Sequence, residues 1–217
     1  MKKLVILGGP GIGMIAASIA RELGYYHIVG FLNDFLKVGS SVGKYLSYPV
    51  LGGSELVADY LQDDDVEFFV AYVGMKNEEE TFRKVQALGI PRNRMANLIH
   101  PTAIIPKGMC SIGRGVLMAP LSQLSPDTTL EDNCILLPNS FLGHDSIMKQ
   151  FSHIATNAVV GANVVVGRGV HIGSNATIRE KVQIGDFALV GASSLVLKDV
   201  ESNRIVIGNP AQYMNDR

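Results

Sequence analysis

The residues best suited to chemistry are a histidine followed at once by a carboxylate, His144-Asp145, with His153 nine positions later and His171 eighteen beyond that. A histidine beside a carboxylate is equipped for general-base work, because the acid fixes the ring tautomer and stabilises the imidazolium. Three histidines can also hold zinc in a tetrahedral site with one open position. No two of these three have tight ligand spacing, however, so metal is not expected. The blander alternatives are an exposed loop histidine without a role, or histidines that simply line a subunit interface. A second candidate is the turn Gly8-Gly9-Pro10-Gly11-Ile12-Gly13, which follows an apolar run. Between a strand and a helix, such a turn offers backbone N–H groups and a helix N-terminus to an anion. The dinucleotide pattern G-x-G-x-x-G fails here, since the register set by Gly9 and Gly11 puts Met14 at the third glycine. Asn33-Asp34 falls where a ribose-binding acid would follow a second strand. A nucleotide-type ligand is therefore expected at the turn, with a purely structural tight turn as the alternative.

The histidines sit on a strict repeat. From Ile112 to Val196 every sixth residue is a large aliphatic, and four places after each comes a small or β-branched residue, as in Val116, Ser122, Thr128 and Cys134. Neither a helix nor an alternating strand gives this period. A six-residue period marks a parallel β-helix in which each hexad forms one flat side. Three sides close a coil of 18 residues, and coils stack at about the 4.8 Å strand spacing. His144 and Asp145 take the third and fourth places of their hexad, near an outward corner. His153 is half a coil further on and projects from a different side, so the two meet only across an interface between neighbouring prisms. His171 stacks on His153. Cys110 and Cys134 occupy inward-type positions and read as packed, reduced thiols.

Before the repeat the chain alternates strands and helices, which predicts a small Rossmann-like parallel sheet in an α/β domain. Strands are expected over 3–7, 27–32, 50–51 and 67–73. Helices are expected from about residue 14 to Gly24, from a Ser54 cap to about Leu61, and over 77–88, stopped by Gly89 and Pro91. The domains are placed at 1–97 and 98–217, with His100–Ser111 as a degenerate first coil. The chain of 217 residues is 47% hydrophobic and carries a net charge of −1, with no Lys/Arg cluster, so no nucleic acid is expected as a partner. Its apolar start stops at Gly8, too soon for a signal peptide. No apolar run reaches the roughly 18 residues of a membrane span. No membrane insertion and a cytoplasmic location are expected.

A Gly-rich βαβ unit, an unbroken hexapeptide prism with Leu142-Gly143-His144-Asp145 and Phe151-Ser152-His153-Ile154, and a terminal Gly208-Asn209-Pro210-Ala211 together resemble the bacterial sugar acyltransferases. These include the sialic acid O-acetyltransferases and the N-acetyltransferases of nucleotide-linked 4-amino sugars, as in bacillosamine synthesis. The resemblance spans essentially the whole chain. It implies a left-handed β-helix, a homotrimer and active sites between subunits, the handedness coming from the family because crossovers are otherwise right-handed. It further implies His144 as general base oriented by Asp145, and acetyl-CoA as co-substrate with no metal. His153 of an adjacent subunit would lie by the acetyl group, and the amides of Ala162 and Ala192 would hold the pantetheine arm. The first domain would hold a nucleotide-linked amino sugar, with Gly8, Gly11 and Gly13 near the phosphates and Asn33 and Asp34 near base or ribose. The alternatives are sugar O-acetylation and a non-catalytic scaffold. Departures from the pattern are Ile12 inside the turn, Gly143 where an acid commonly precedes the histidine, Leu137 in place of an asparagine, and Gln212 in place of a basic residue after the terminal motif.

Overall fold

The structure is a computed structural model that describes residues 1–72 and 78–217. These residues part into two compact units, 1–72 with 80–98 and 78–79 with 99–217. In the first, β1 (Lys2–Leu7) leads through the glycine turn into α1 (Ile12–Leu23), and β2 (Tyr26–Leu32) follows. Next come β3 (Ser41–Val42), β4 (Tyr48–Gly52), a 3-10 turn at Ser54–Leu56 running into α2 (Val57–Tyr60), β5 (Val66–Val70) and α3 (Glu78–Ala87). The sheet order is β3-β4-β2-β1-β5. The strands β4, β2, β1 and β5 run parallel, and β3 returns antiparallel to β4. The apolar residues Leu4–Leu7, Phe31, Leu32, Phe68 and Phe69 are fully buried, as strands covered on both faces must be.

Some local expectations shift. The first helix starts at Ile12, because Met14 and Ile15 both donate their N–H to the Gly11 carbonyl. The strand expected to run to Val73 ends at Val70, and Val73 and Asn77 lie outside the described residues. Ser54 does not cap its turn through its own side chain. Its N–H instead donates to Asp34 Oδ1 at 2.6 Å, and the Gly53 N–H donates to Glu55 Oε1. A carboxylate brought from the end of β2 does the work expected of the serine hydroxyl.

The second unit is the left-handed parallel β-helix. Its three faces are ladders of strands mostly two residues long. One face carries Thr128–Leu130, Ile147–Met148, Val165–Val166 and Gln183–Ile184. The next carries Leu117–Met118, Ile135–Leu136, His153–Ile154, His171–Ile172 and Leu189–Val190. The third carries Gln123–Leu124, Phe141–Leu142, Val159–Val160, Thr177–Ile178 and Leu195–Val196. Each strand pairs with the strand 18 residues away. The sixfold aliphatics from Met118 to Val196 and their small partners fill the interior. Of its polar members, Ser122 and Ser152 donate to carbonyls three residues back, whereas the Ser140 hydroxyl has no partner among the described residues. Burial pushes the Cys134 thiol up to about 12, which leaves it inert.

The corners explain why such short strands suffice. Once per hexad, from Leu121 to Ser193, the chain takes a left-handed conformation, and the positions include Asp127, Asn133, Asn139, Asp145, Asn157, Asn163 and Asn175. Asn and Asp are the side chains that tolerate that region best after glycine. The segment His100–Ile112 forms the expected first coil: His100 donates to Met118, Ile104 to Ser122, and Cys110 pairs with Thr128. Two strands not expected from the sequence, Arg204–Gly208 and Ala211–Asp216, close the chain as an antiparallel hairpin.

Candidate active site

Asp145 occupies a left-handed corner at φ 59°. That conformation turns its carboxylate back onto the preceding ring, and His144 Nδ1 lies 2.7 Å from Asp145 Oδ2. Both side chains are open, at 59% and 53% exposure, so the ring's other nitrogen is accessible to a reactant. The backbone beneath is held from the next coil. The Asn163 N–H donates to the His144 carbonyl at 2.9 Å, while Ser146 Oγ donates to Gly161 and accepts from Val164, each at 3.0 Å. Gly143 is required by the same stacking: a Cβ there would meet the Gly161 carbonyl carbon at 2.5 Å. The acid expected before the histidine is thus barred by the coil above.

Ala162 lies one coil above His144 on the same edge. The equivalent amides of Arg114 and Arg168 donate to Asp132 and Asp186, carboxylates one coil further on. The N–H groups of Ala162 and Ala192 have no acceptor among the described residues. Such spare donors fit the amide carbonyls of a pantetheine arm. Ala192 sits on another edge, however, across the face that carries Val159–Val160.

His153 faces out from a different side of the prism and is 5% exposed. Among the described residues, neither of its ring nitrogens has a hydrogen-bond partner. Burial, then the neighbouring His171, pushes its pKa down to about 3. His171 stacks beside it, held down to about 4 by burial and by Arg217. One prism therefore gathers His144, Asp145 and Ala162 on one edge, and leaves His153 and Ala192 elsewhere. Among the described residues, no group of three or more His, Cys, Asp or Glu is disposed to hold a metal.

In the first unit the glycine turn opens α1 with no side-chain cap, and Gly11 takes φ 89° with open space where a Cβ would be. Gly8 lies against the Ala71 backbone, and Gly13 is buried against Phe31, so two of the three expected phosphate-side glycines also serve packing. Asn33 is buried and its Oδ1 accepts the N–H of Phe35 and Leu36 at 2.9 and 2.8 Å, which shapes the loop after β2. Asp34 holds Ser54, as described above.

The sequence reading passed over Tyr72, just beyond β5. Burial, then the Asp34 and Glu55 carboxylates, holds its hydroxyl well above the usual tyrosine range. The signal that would have found it is its place, since ligand sites of such sheets lie beyond the carboxyl ends of the strands. No helix among the described residues is long and apolar enough to cross a membrane.

Comparison with known proteins gives a family match in each part of the chain. Residues 3–94 match the family model of the PglD N-terminal domain, and residues 163–198 match that of the bacterial transferase hexapeptide (six repeats). The acetyltransferase domain of PglB from Neisseria gonorrhoeae FA1090 is 26% identical with a TM-score of 0.83, over 99% of this chain and 100% of that one. The same domain in complex with acetyl coenzyme A gives 28% and 0.84, over 98% and 99%. PerB from Caulobacter crescentus, in complex with CoA and GDP-perosamine, is 23% identical with a TM-score of 0.82, over 99% and 98%, a likeness of fold. Residues 3–94 are thus similar to the PglD N-terminal domain, and residues 163–198 to the bacterial transferase hexapeptide.

Proposed function

We propose that the chain transfers the acetyl group of acetyl-CoA to the 4-amino group of a nucleotide-linked deoxyamino sugar, by direct attack and with His144 as general base. The observation that carries this reading is the open His144–Asp145 pair at 2.7 Å, with the unused Ala162 amide one coil above it. The identity with a PglB acetyltransferase domain that binds acetyl coenzyme A supports the donor. His144 accepts the proton that the amine nitrogen loses as it bonds to the thioester carbonyl carbon. Asp145 stabilises the imidazolium so formed. When the carbon–sulfur bond breaks, the imidazolium returns its proton to the departing thiolate, leaving the N-acetyl sugar and free CoA. The spare N–H groups of Ala162 and Ala192 hold the pantetheine arm, and His153 of a neighbouring subunit approaches the thioester oxygen. Since one prism does not bring His153 to His144, the working unit is an assembly of side-by-side prisms, a homotrimer. The first unit holds the nucleotide sugar at the uncapped start of α1, with Gly8, Gly11, Gly13, Asn33 and Asp34 around it. The enzyme works in the cytoplasm.

The test is thiol release from acetyl-CoA against a panel of UDP-, dTDP- and GDP-linked amino sugars, with sialic acid included. His144→Ala should cost about 10²–10⁴-fold in turnover while acetyl-CoA binding persists. Retained turnover refutes the base, and acetylation of sialic acid alone refutes the amine acceptor.

A further inference from the structure

The glycine turn of the first unit gathers hydrogen-bond donors that the fold leaves unspent. Gly8 donates its N–H to the Leu32 carbonyl at 3.0 Å, which ties the turn to the end of β2. Beyond it, the N–H groups of Gly9, Gly11, Ile12 and Gly13 have no acceptor among the described residues. They belong to the turn and to the first residues of α1, where aligned peptide dipoles favour negative charge.

A side chain from the neighbouring strand adds one more donor. Asn33 is 7% exposed, and its Oδ1 accepts the N–H of Phe35 and of Leu36. Two N–H groups require an oxygen there, so the amide cannot flip, and Nδ2 is turned the other way. That nitrogen lies against the turn: a Cβ on Gly9 would come within 3.2 Å of it. It has no hydrogen-bond partner among the described residues, yet it is not shut off from solvent as the His153 ring nitrogens are. A donor fixed so firmly in a buried side chain calls for an acceptor brought by a ligand.

We infer that Asn33 is a phosphate-binding residue: its Nδ2 donates to a phosphate oxygen of the nucleotide sugar, beside the unspent N–H groups of the glycine turn. The inference rests on the reading of that turn as the nucleotide site, and it assigns Asn33 to the phosphates instead of the base or ribose. Ribose hydroxyls are read by an acidic side chain that accepts their protons. Asn33 has no oxygen to spare for that, because Oδ1 is already doubly engaged. What it and the turn still offer are donors, and an ionised phosphate oxygen only accepts. The adjacent carboxylate is engaged elsewhere, with Asp34 Oδ1 accepting the Ser54 N–H at 2.6 Å.

The experiment uses the full chain with Asn33→Asp and Asn33→Ser. Asp keeps an oxygen for the Phe35 and Leu36 N–H groups and puts a carboxylate oxygen in place of Nδ2. Ser keeps a hydroxyl acceptor and removes the amide. Calorimetry reads the Kd of UDP, GDP and dTDP, of the matching nucleosides, and of acetyl-CoA. For the diphosphate that binds wild type best, Asn33→Ser should raise Kd about 10- to 100-fold, the loss of one hydrogen bond to a charged acceptor. Asn33→Asp should raise it further, since like charges then face each other. The acetyl-CoA Kd should stay within about twofold, and each nucleoside should bind wild type and variants alike. An unchanged diphosphate Kd in Asn33→Asp overturns the role. So does a nucleoside weakened as much as its diphosphate, which returns Asn33 to the base or ribose. Failure of both variants to fold also overturns it, because the amide is then a loop-packing element. If wild type binds none of the three diphosphates while acetyl-CoA still binds, the reading of the turn fails, which is a separate result.

Discussion

Acid should loosen the prism through two side chains. His153 and His171 are held neutral, their pKa values lowered from 6.5 to about 3 and about 4, chiefly by burial. In the unfolded chain both titrate near 6.5. Below that pH the unfolded chain takes up two protons that the folded chain refuses, so stability present at neutral pH is lost as the pH falls towards about 4. Each ring contributes about 1.4 kcal/mol per pH unit in that window. Over the unit and a half down to pH 5, two rings amount to roughly 3–4 kcal/mol once the half-buried state of His171 is discounted. For a chain of this length that is on the order of a 10 °C fall in melting midpoint. The comparison is the double variant His153→Leu/His171→Leu, which completes the column of Leu117, Ile135 and Leu189. Thermal melts at pH 7.5 and 5.0, at matched ionic strength and protein concentration, measure both proteins. Wild type should lose about 10 °C more than the variant, because carboxylates elsewhere titrate alike in the two. Equal losses would show that the rings are charged or solvated in the fold, and would refute the neutral pair.

Three other outcomes are expected. Gly143→Ala should destabilise the prism by about 1–3 kcal/mol, because its Cβ meets the Gly161 carbonyl carbon at 2.5 Å; a denaturant midpoint equal to wild type would contradict the close stacking. Asp145→Asn keeps a residue tolerant of the left-handed corner but removes the carboxylate from His144, so kcat should fall at least tenfold with an unchanged melting midpoint. At the corner Asn163, held at φ 58°, Asn163→Ala should cost about 1 kcal/mol and Asn163→Gly much less, as read by chemical denaturation.

Much of this is legible in the sequence alone. The sixfold aliphatics give the prism outright, because a buried column tolerates no slip, and the 18-residue spacing of His153 and His171 gives their stacking. The corner asparagines Asn133, Asn139, Asn157, Asn163 and Asn175 stand in the sequence at the same sixfold spacing, but their left-handed turns are not among the expectations drawn from it. What a linear reading could not supply was tertiary. Nothing local to Ser54 says that Asp34, twenty residues earlier, will take its N–H. The depth at which His153 is buried is likewise not written in its own neighbourhood of the sequence. The end of β5 at Val70 and the terminal hairpin depend on which neighbouring strand is present to pair with them.

The uniform ladder also decides where the protein opens. Each coil is bound only to the coil before and after it, so the prism behaves as a zipper whose teeth are nearly alike, and fraying starts at the ends. His144, His153 and Ala162 belong to the middle of the run from Ile112 to Val196. They lie where thermal opening must travel furthest to reach, and amide exchange should slow from both ends towards them. The chemistry is seated in the rungs least often undone.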